Sequence, residues 1–147
     1  MSTTKTEQCI DVCNRLLRGE ISAIETYTQA IDKFRAEDVT PLADLRRDHI
    51  FSADRLRHHV REMGGTPTTD SGAWGTWAKT VEGAAKLMGD KVALKALVEG
   101  EEHGIKEYES ALEDDGVMPV MKDMIRSELL PKQRNHLVML RQLIDAL

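Results

Sequence analysis

Leu97-Val98-Glu99-Gly100-Glu101-Glu102-His103-Gly104-Ile105-Lys106-Glu107-Tyr108-Glu109-Ser110-Ala111-Leu112-Glu113 repeats a frame already used by Leu16-Leu17-Arg18-Gly19-Glu20-Ile21-Ser22-Ala23-Ile24-Glu25-Thr26-Tyr27-Thr28-Gln29-Ala30-Ile31-Asp32. Both read Leu-x-x-Gly-Glu-x-x-x-Ile-x-x-Tyr-x-x-Ala-(Ile/Leu)-(Asp/Glu). Each is followed by a second matched segment carrying a histidine: Arg46-Arg47-Asp48-His49-Ile50 and Gln133-Arg134-Asn135-His136-Leu137. Apolar residues in all four segments recur at steps of three and four, the signature of a helix with one buried face. The internal repeat therefore reads as two similar helix pairs, each with one Glu and one His.

Working outward, the periodicity predicts helices over about 7–36, 41–63, 72–88, 91–114 and 118–146. Thr40 and Pro41 suit a cap and first position, and Gly64-Gly65-Thr66-Pro67 suits a stop. The segment from 64 to 90 is too long for a tight turn. It keeps helical spacing through Trp74, Trp77, Val81 and Met88, so it reads as a crossover containing a short helix. Pro131 falls inside the last helix and should kink it, freeing the carbonyl of Ser127. The expected fold is all-α, a single domain over residues 1–147: a four-helix bundle with one long crossover.

Composition bounds the function. Aromatic residues make up 4% of the chain and apolar residues 41%, enough for a core built mainly of aliphatic side chains. A net charge of −5 without a Lys/Arg-dense face argues against nucleic acid. No apolar run approaches a membrane span, and the polar N-terminus lacks the core of a signal peptide, so a cytoplasmic protein is expected. Cys9 and Cys13, four apart on one helix, read as two half-buried thiols or a redox or metal pair; helix geometry does not favour a disulfide there.

On each helix seam one residue breaks the apolar rule near the middle: Glu20, His49, Glu101 and His136. Burying a carboxylate or an unpaired imidazole costs several kcal/mol unless something pairs it. Four such residues in Glu-His-Glu-His order should converge, and carboxylate oxygens with imidazole nitrogens suit iron, manganese or zinc. Glu128 reaches the seam just before Pro131 and is a further candidate carboxylate. Tyr27 and Tyr108, each seven residues after its Glu, are candidate hydrogen-bond partners or radical sites, or plain core tyrosines. His58 and His59 fall farther round their helix and read as surface residues.

The pattern resembles the ferritin-like superfamily of four-helix bundles, and most closely an uncharacterised bacterial group of such bundles classed as a domain of unknown function. The matching features are Gly19-Glu20, Gly100-Glu101, the Ser71-Gly72-x-Trp74-Gly75 crossover and Leu130-Pro131-x-Gln133-x-x-His136. The resemblance implies a metal centre related to iron or oxidative stress. It also exposes a departure. Di-iron members carry Glu-x-x-His on helices two and four, with that Glu bridging two metals; here the bridging positions are Arg46 and Gln133, neither of which can bridge. Arg46 is instead a candidate to pair with Glu20 or Glu101 in place of the metal's charge.

Three readings follow: one transition-metal ion, a metal-free polar vestige of a metal site, or a complete dinuclear site. Whether the chain is an enzyme stays open. The rival to a reduced metal site is a non-catalytic structural or interaction bundle, and Trp74 with Trp77 would offer either a partner surface or a bundle flank. A homo-oligomer stays open too, and no small-molecule substrate is identifiable. In a metal-free network Glu101→Leu should be nearly neutral or stabilising; with metal bound it should lower the melting temperature and release the ion.

Overall fold

In a computed structural model, residues 4–72 and 75–147 are described (for 75, 76 and 78 the backbone alone), and Trp74 lies outside them. Among the described residues the protein is all-helical, with no strand. Its order is α1 (Lys5–Lys33), α2 (Thr40–Glu62), α3 (Gly75–Leu87), α4 (Asp90–Glu113), α5 (Pro119–Met124), a π turn (Ile125–Leu129) and α6 (Leu130–Asp145). Among the described residues no helix is long and apolar enough to cross a membrane.

Local chemistry explains the boundaries. Thr4 caps α1 by accepting the Glu7 N–H at 3.0 Å. At its other end, Asp90 accepts the N–H groups of Arg35 and Ala36, both at 2.9 Å, and so ties the α1–α2 loop to the start of α4. The cap position expected at Thr40 falls on Val39, without a side-chain bond. Thr40 is already helical, and Asp38 takes its N–H at 3.0 Å. An aspartate two residues upstream thus satisfies one donor at the helix start through a local turn.

Helices α1 and α2 pack along their lengths, as do α4 and α6, while α3 lies over both α1 and α4. Asn14 holds the chain leading to α3 against α1, donating to Thr66 O at 3.1 Å and accepting from Thr68 N at 2.9 Å. Trp77 then anchors α3 on α4: its indole Nε1 donates to Ala96 O at 3.2 Å, and its ring fills the space left by Gly100, where any Cβ would collide with it. Ala is favoured over Gly in a helix by about 1 kcal/mol, but overpacking costs about 1–3 kcal/mol. Because the clash is with a fixed ring, Gly100→Ala should lower the thermal midpoint. A midpoint at or above wild type would show that Trp77 is not seated on α4.

The predicted kink at Pro131 is met by a change of helix type. Leu130 N–H reaches back five residues to Ile125 O. Widening the preceding turn gives the proline ring room beside the carbonyl four residues back, and the chain continues without a break.

The core has two apolar clusters. One includes Leu17, Ala53, Tyr108 and Leu129, the other Tyr27, Leu45, Leu97 and Leu140. On α1, α2, α4 and α6 the passage from one cluster to the other falls at or beside a buried polar residue: Glu20, His49, Glu101 and His136. A polar layer is thus sealed between two greasy ones. Cys9 and Cys13 are free and fully buried in the first cluster rather than half-buried, and burial pushes the Cys13 thiol pKa up. His59, read as a surface residue, is mostly covered, with 13% of its side chain exposed; burial pushes its pKa down.

Candidate metal centre

The four residues that break the apolar seams come together. Glu101 is fully buried, His49 and His136 are 1% exposed and Glu20 3%. The donor atoms of His49, Glu101 and His136 lie within 4.8 Å of one another, a group that can hold a metal ion. His49 Nε2 faces Glu101 Oε1 at 2.7 Å, and His136 Nδ1 faces Glu101 Oε2 at 3.2 Å. Glu20 stands behind His49, with Oε2 at 2.6 Å from Nδ1. The two imidazoles are tilted neighbours, their centroids 4.8 Å apart.

The tyrosines cross over. Tyr27 donates its hydroxyl to Glu101 Oε1 at 2.7 Å, and Tyr108 donates to Glu20 Oε1 at 2.6 Å. Each tyrosine therefore serves the glutamate of the other matched segment. Burial first, then the adjacent carboxylate, pushes both phenol pKa values well up, which keeps them donors.

Electrostatics follow from the same contacts. Burial alone would push the His49 pKa down, but Glu101 and Glu20 on its two sides outweigh it and hold the value well above the ordinary 6.5. Burial likewise opposes ionisation of Glu101, yet the charge of His49 and the imidazole nitrogens facing both carboxylate oxygens win, holding its pKa well below the usual carboxylate range. Without metal, the two carboxylates on either side of His49 favour its protonated form.

Other expected participants lie elsewhere. Arg46 is half-buried and donates to Thr28 Oγ1 at 3.3 Å, not to Glu20 or Glu101; the charge it was expected to supply comes from His49. Glu128 pairs with Arg55 at 2.8 Å, its side chain 35% exposed, so the π turn presents it between α2 and the fourth seam rather than to the centre. Gln133 is buried, its amide close against Gly104. With Gly19, Glu20, His49 and Gly104 it borders a cavity of about 20 Å³, room for roughly one water.

One participant escaped sequence reasoning. Asp48 Oδ2 lies 2.9 Å from His136 Nε2. It sits beside His49 on α2 but off the seam, and its side chain is 35% exposed, so it reads as an ordinary surface acid. The only available signal was its adjacency to His49. A chain of alternating carboxylates and imidazoles results: Glu20, His49, Glu101, His136, Asp48.

Fold and site together define a class: an all-helical protein with a buried histidine–carboxylate centre. The chain belongs to the family described as a domain of unknown function, DUF2383, whose model matches residues 8–114. That span holds Glu20, Asp48, His49 and Glu101, together with both tyrosines, and ends before His136. No curated protein and no solved structure matches the chain.

Proposed function

We propose that this protein is a ferritin-like four-helix bundle built from a duplicated helix pair, with α3 in its single crossover, binding one transition-metal ion through His49 Nε2, His136 Nδ1 and Glu101. One observation carries the reading. Both imidazoles have an outer carboxylate for their N–H, Glu20 for His49 and Asp48 for His136, so in their neutral forms their inner lone pairs face the two oxygens of Glu101. A positive charge among these four electron-rich atoms offsets their mutual repulsion, and a metal ion would supply it. Two imidazoles and one carboxylate suit iron(II), manganese(II) or zinc, and the ferritin-like resemblance favours iron and a role in oxidative stress. The bound ion would supply Lewis acidity or redox capacity. Arg46 and Gln133 at the bridging positions argue for one ion rather than two.

The rival is the metal-free network, in which a proton takes the cation's place. It is favoured by His49, whose nitrogens sit at 2.6 and 2.7 Å from carboxylate oxygens, ordinary spacings for an imidazolium. A structural bundle without chemistry would follow.

Elemental analysis of protein prepared without chelator or metal-affinity tag, followed by titration of the stripped protein with manganese, iron and zinc, separates the two. Uptake of about one ion per chain is expected, and at 100 times the dissociation constant a gain of about 2.7 kcal/mol. That is a rise of roughly 5–10 °C in the thermal midpoint, lost in Glu101→Gln. Uptake below about 0.1 ion per chain for all three metals would leave the metal-free reading.

A further inference from the structure

His136 differs from His49 in what holds its second nitrogen. His49 lies between the glutamates of both matched segments: Nδ1 on Glu20, Nε2 on Glu101. Carried over to the other half, that pattern would place His136 between Glu101 and Glu20. The first link is kept, Nδ1 facing Glu101 at 3.2 Å. The second is replaced: Nε2 meets Asp48 at 2.9 Å. In the matched segment Asp48 corresponds to Asn135, whose amide instead donates to Met139 Sδ at 3.5 Å and offers no carboxylate. The symmetry of the centre is broken at this link.

The break has a chemical consequence. A neutral imidazole has one N–H, and which nitrogen carries it decides which is free to bind a cation. Asp48 is the nearer of the two carboxylates, and its side chain, one-third exposed, has solvent beside it. A proton on Nε2 is satisfied there. A proton on Nδ1 would point into the space bounded by Glu101 and His49 and would have to be displaced before an ion could enter.

We infer that Asp48 is a positioning residue: by accepting the Nε2–H of His136 it selects the tautomer whose Nδ1 lone pair completes the three-atom cation site with His49 Nε2 and Glu101. The inference rests on the metal reading above. Glu20 does the same for His49, so each ligand imidazole has its own outer carboxylate, one from inside the core and one from the surface. Such outer partners fix ring orientation and raise basicity.

Asp48→Asn is the sharp test, because an amide keeps the size and a hydrogen bond yet accepts or donates with little preference, leaving the tautomer unselected. Two measurements are made on the full chain. Nitrogen-15 shifts of His136 in metal-free protein should show Nε2–H in the wild type and a mixture or Nδ1–H in Asp48→Asn. Manganese titration should give one ion per chain in both, with affinity weakened about 10–100-fold in Asp48→Asn and largely recovered in Asp48→Glu. A wild-type proton on Nδ1, or an Asp48→Asn affinity within about twofold of wild type, overturns the inference. Should the wild type take up no metal while Asp48→Asn alone loses the Nε2–H tautomer, the metal reading falls and the hold of Asp48 on the ring stands. Circular dichroism of each variant confirms the fold.

Discussion

Glu101→Leu should lower stability by about 3–5 kcal/mol, the cost of removing one member of a buried charged set, a fall of roughly 10–15 °C in the thermal midpoint. Three groups depend on this carboxylate. Tyr27 donates to it at 2.7 Å, His49 Nε2 stands at 2.7 Å and His136 Nδ1 at 3.2 Å. Leucine leaves a phenol and two imidazole nitrogens turned toward a methyl group in a sealed interior. The near-neutral outcome expected of a metal-free network applies to replacing the whole network, not one member. A variant with Glu20, His49, Glu101 and His136 all changed to leucine, and Tyr27 and Tyr108 to phenylalanine, should recover most of the loss, since well-packed apolar groups substitute for buried ion pairs at little cost. Thermal unfolding of both variants checks this. A Glu101→Leu protein as stable as wild type would mean that these contacts do not exist in solution.

Much of this centre was legible before any coordinates, because the apolar seam of an amphipathic helix makes a polar residue conspicuous. Glu20, His49, Glu101 and His136 were found that way, and all four are buried together. Helix extents followed from the same periodicity: the last expected helix, 118–146, is α5, the π turn and α6 run together. What the seam does not encode is the relative height and rotation of neighbouring helices. Boundary errors of a few residues shift heights by a turn, so the convergence expected from burial has no support from helix heights, and the crossing of Tyr27 and Tyr108 to each other's glutamate is not legible in the sequence. Residues at the seam's border suffer most. Arg46 turned to Thr28, Glu128 to Arg55, and Asp48 turned inward to His136, each decided by which neighbouring helix its own edge faces. Trp77 was visible as half of an aromatic stripe, but its seat on Gly100 depends on a contact between segments distant in sequence.

The pH dependence of the metal-free protein should be the sharpest signature of an imidazolium trapped between carboxylates. His49 has a folded pKa raised well above its ordinary 6.5. Its contribution is fully present below about 6.5 and declines as pH rises through the folded value, because the folded state then holds a proton that the unfolded state has released. Glu101 behaves oppositely. Its folded pKa lies well below its ordinary 4.5, so its contribution is present above that value and is lost as pH falls toward the folded pKa. The site should therefore stabilise most between these two ordinary values. Outside that window it should weaken by about 1.4 kcal/mol per pH unit for each proton mismatched. A metal reverses the alkaline limb, since an ion needs His49 and His136 neutral and must displace protons to bind. Denaturant unfolding between pH 6 and 9, with and without manganese, should thus give diverging curves: falling for the stripped protein, level or rising for the loaded one. Parallel curves whose gap does not widen with pH would exclude a site at which metal and proton compete for the same nitrogens.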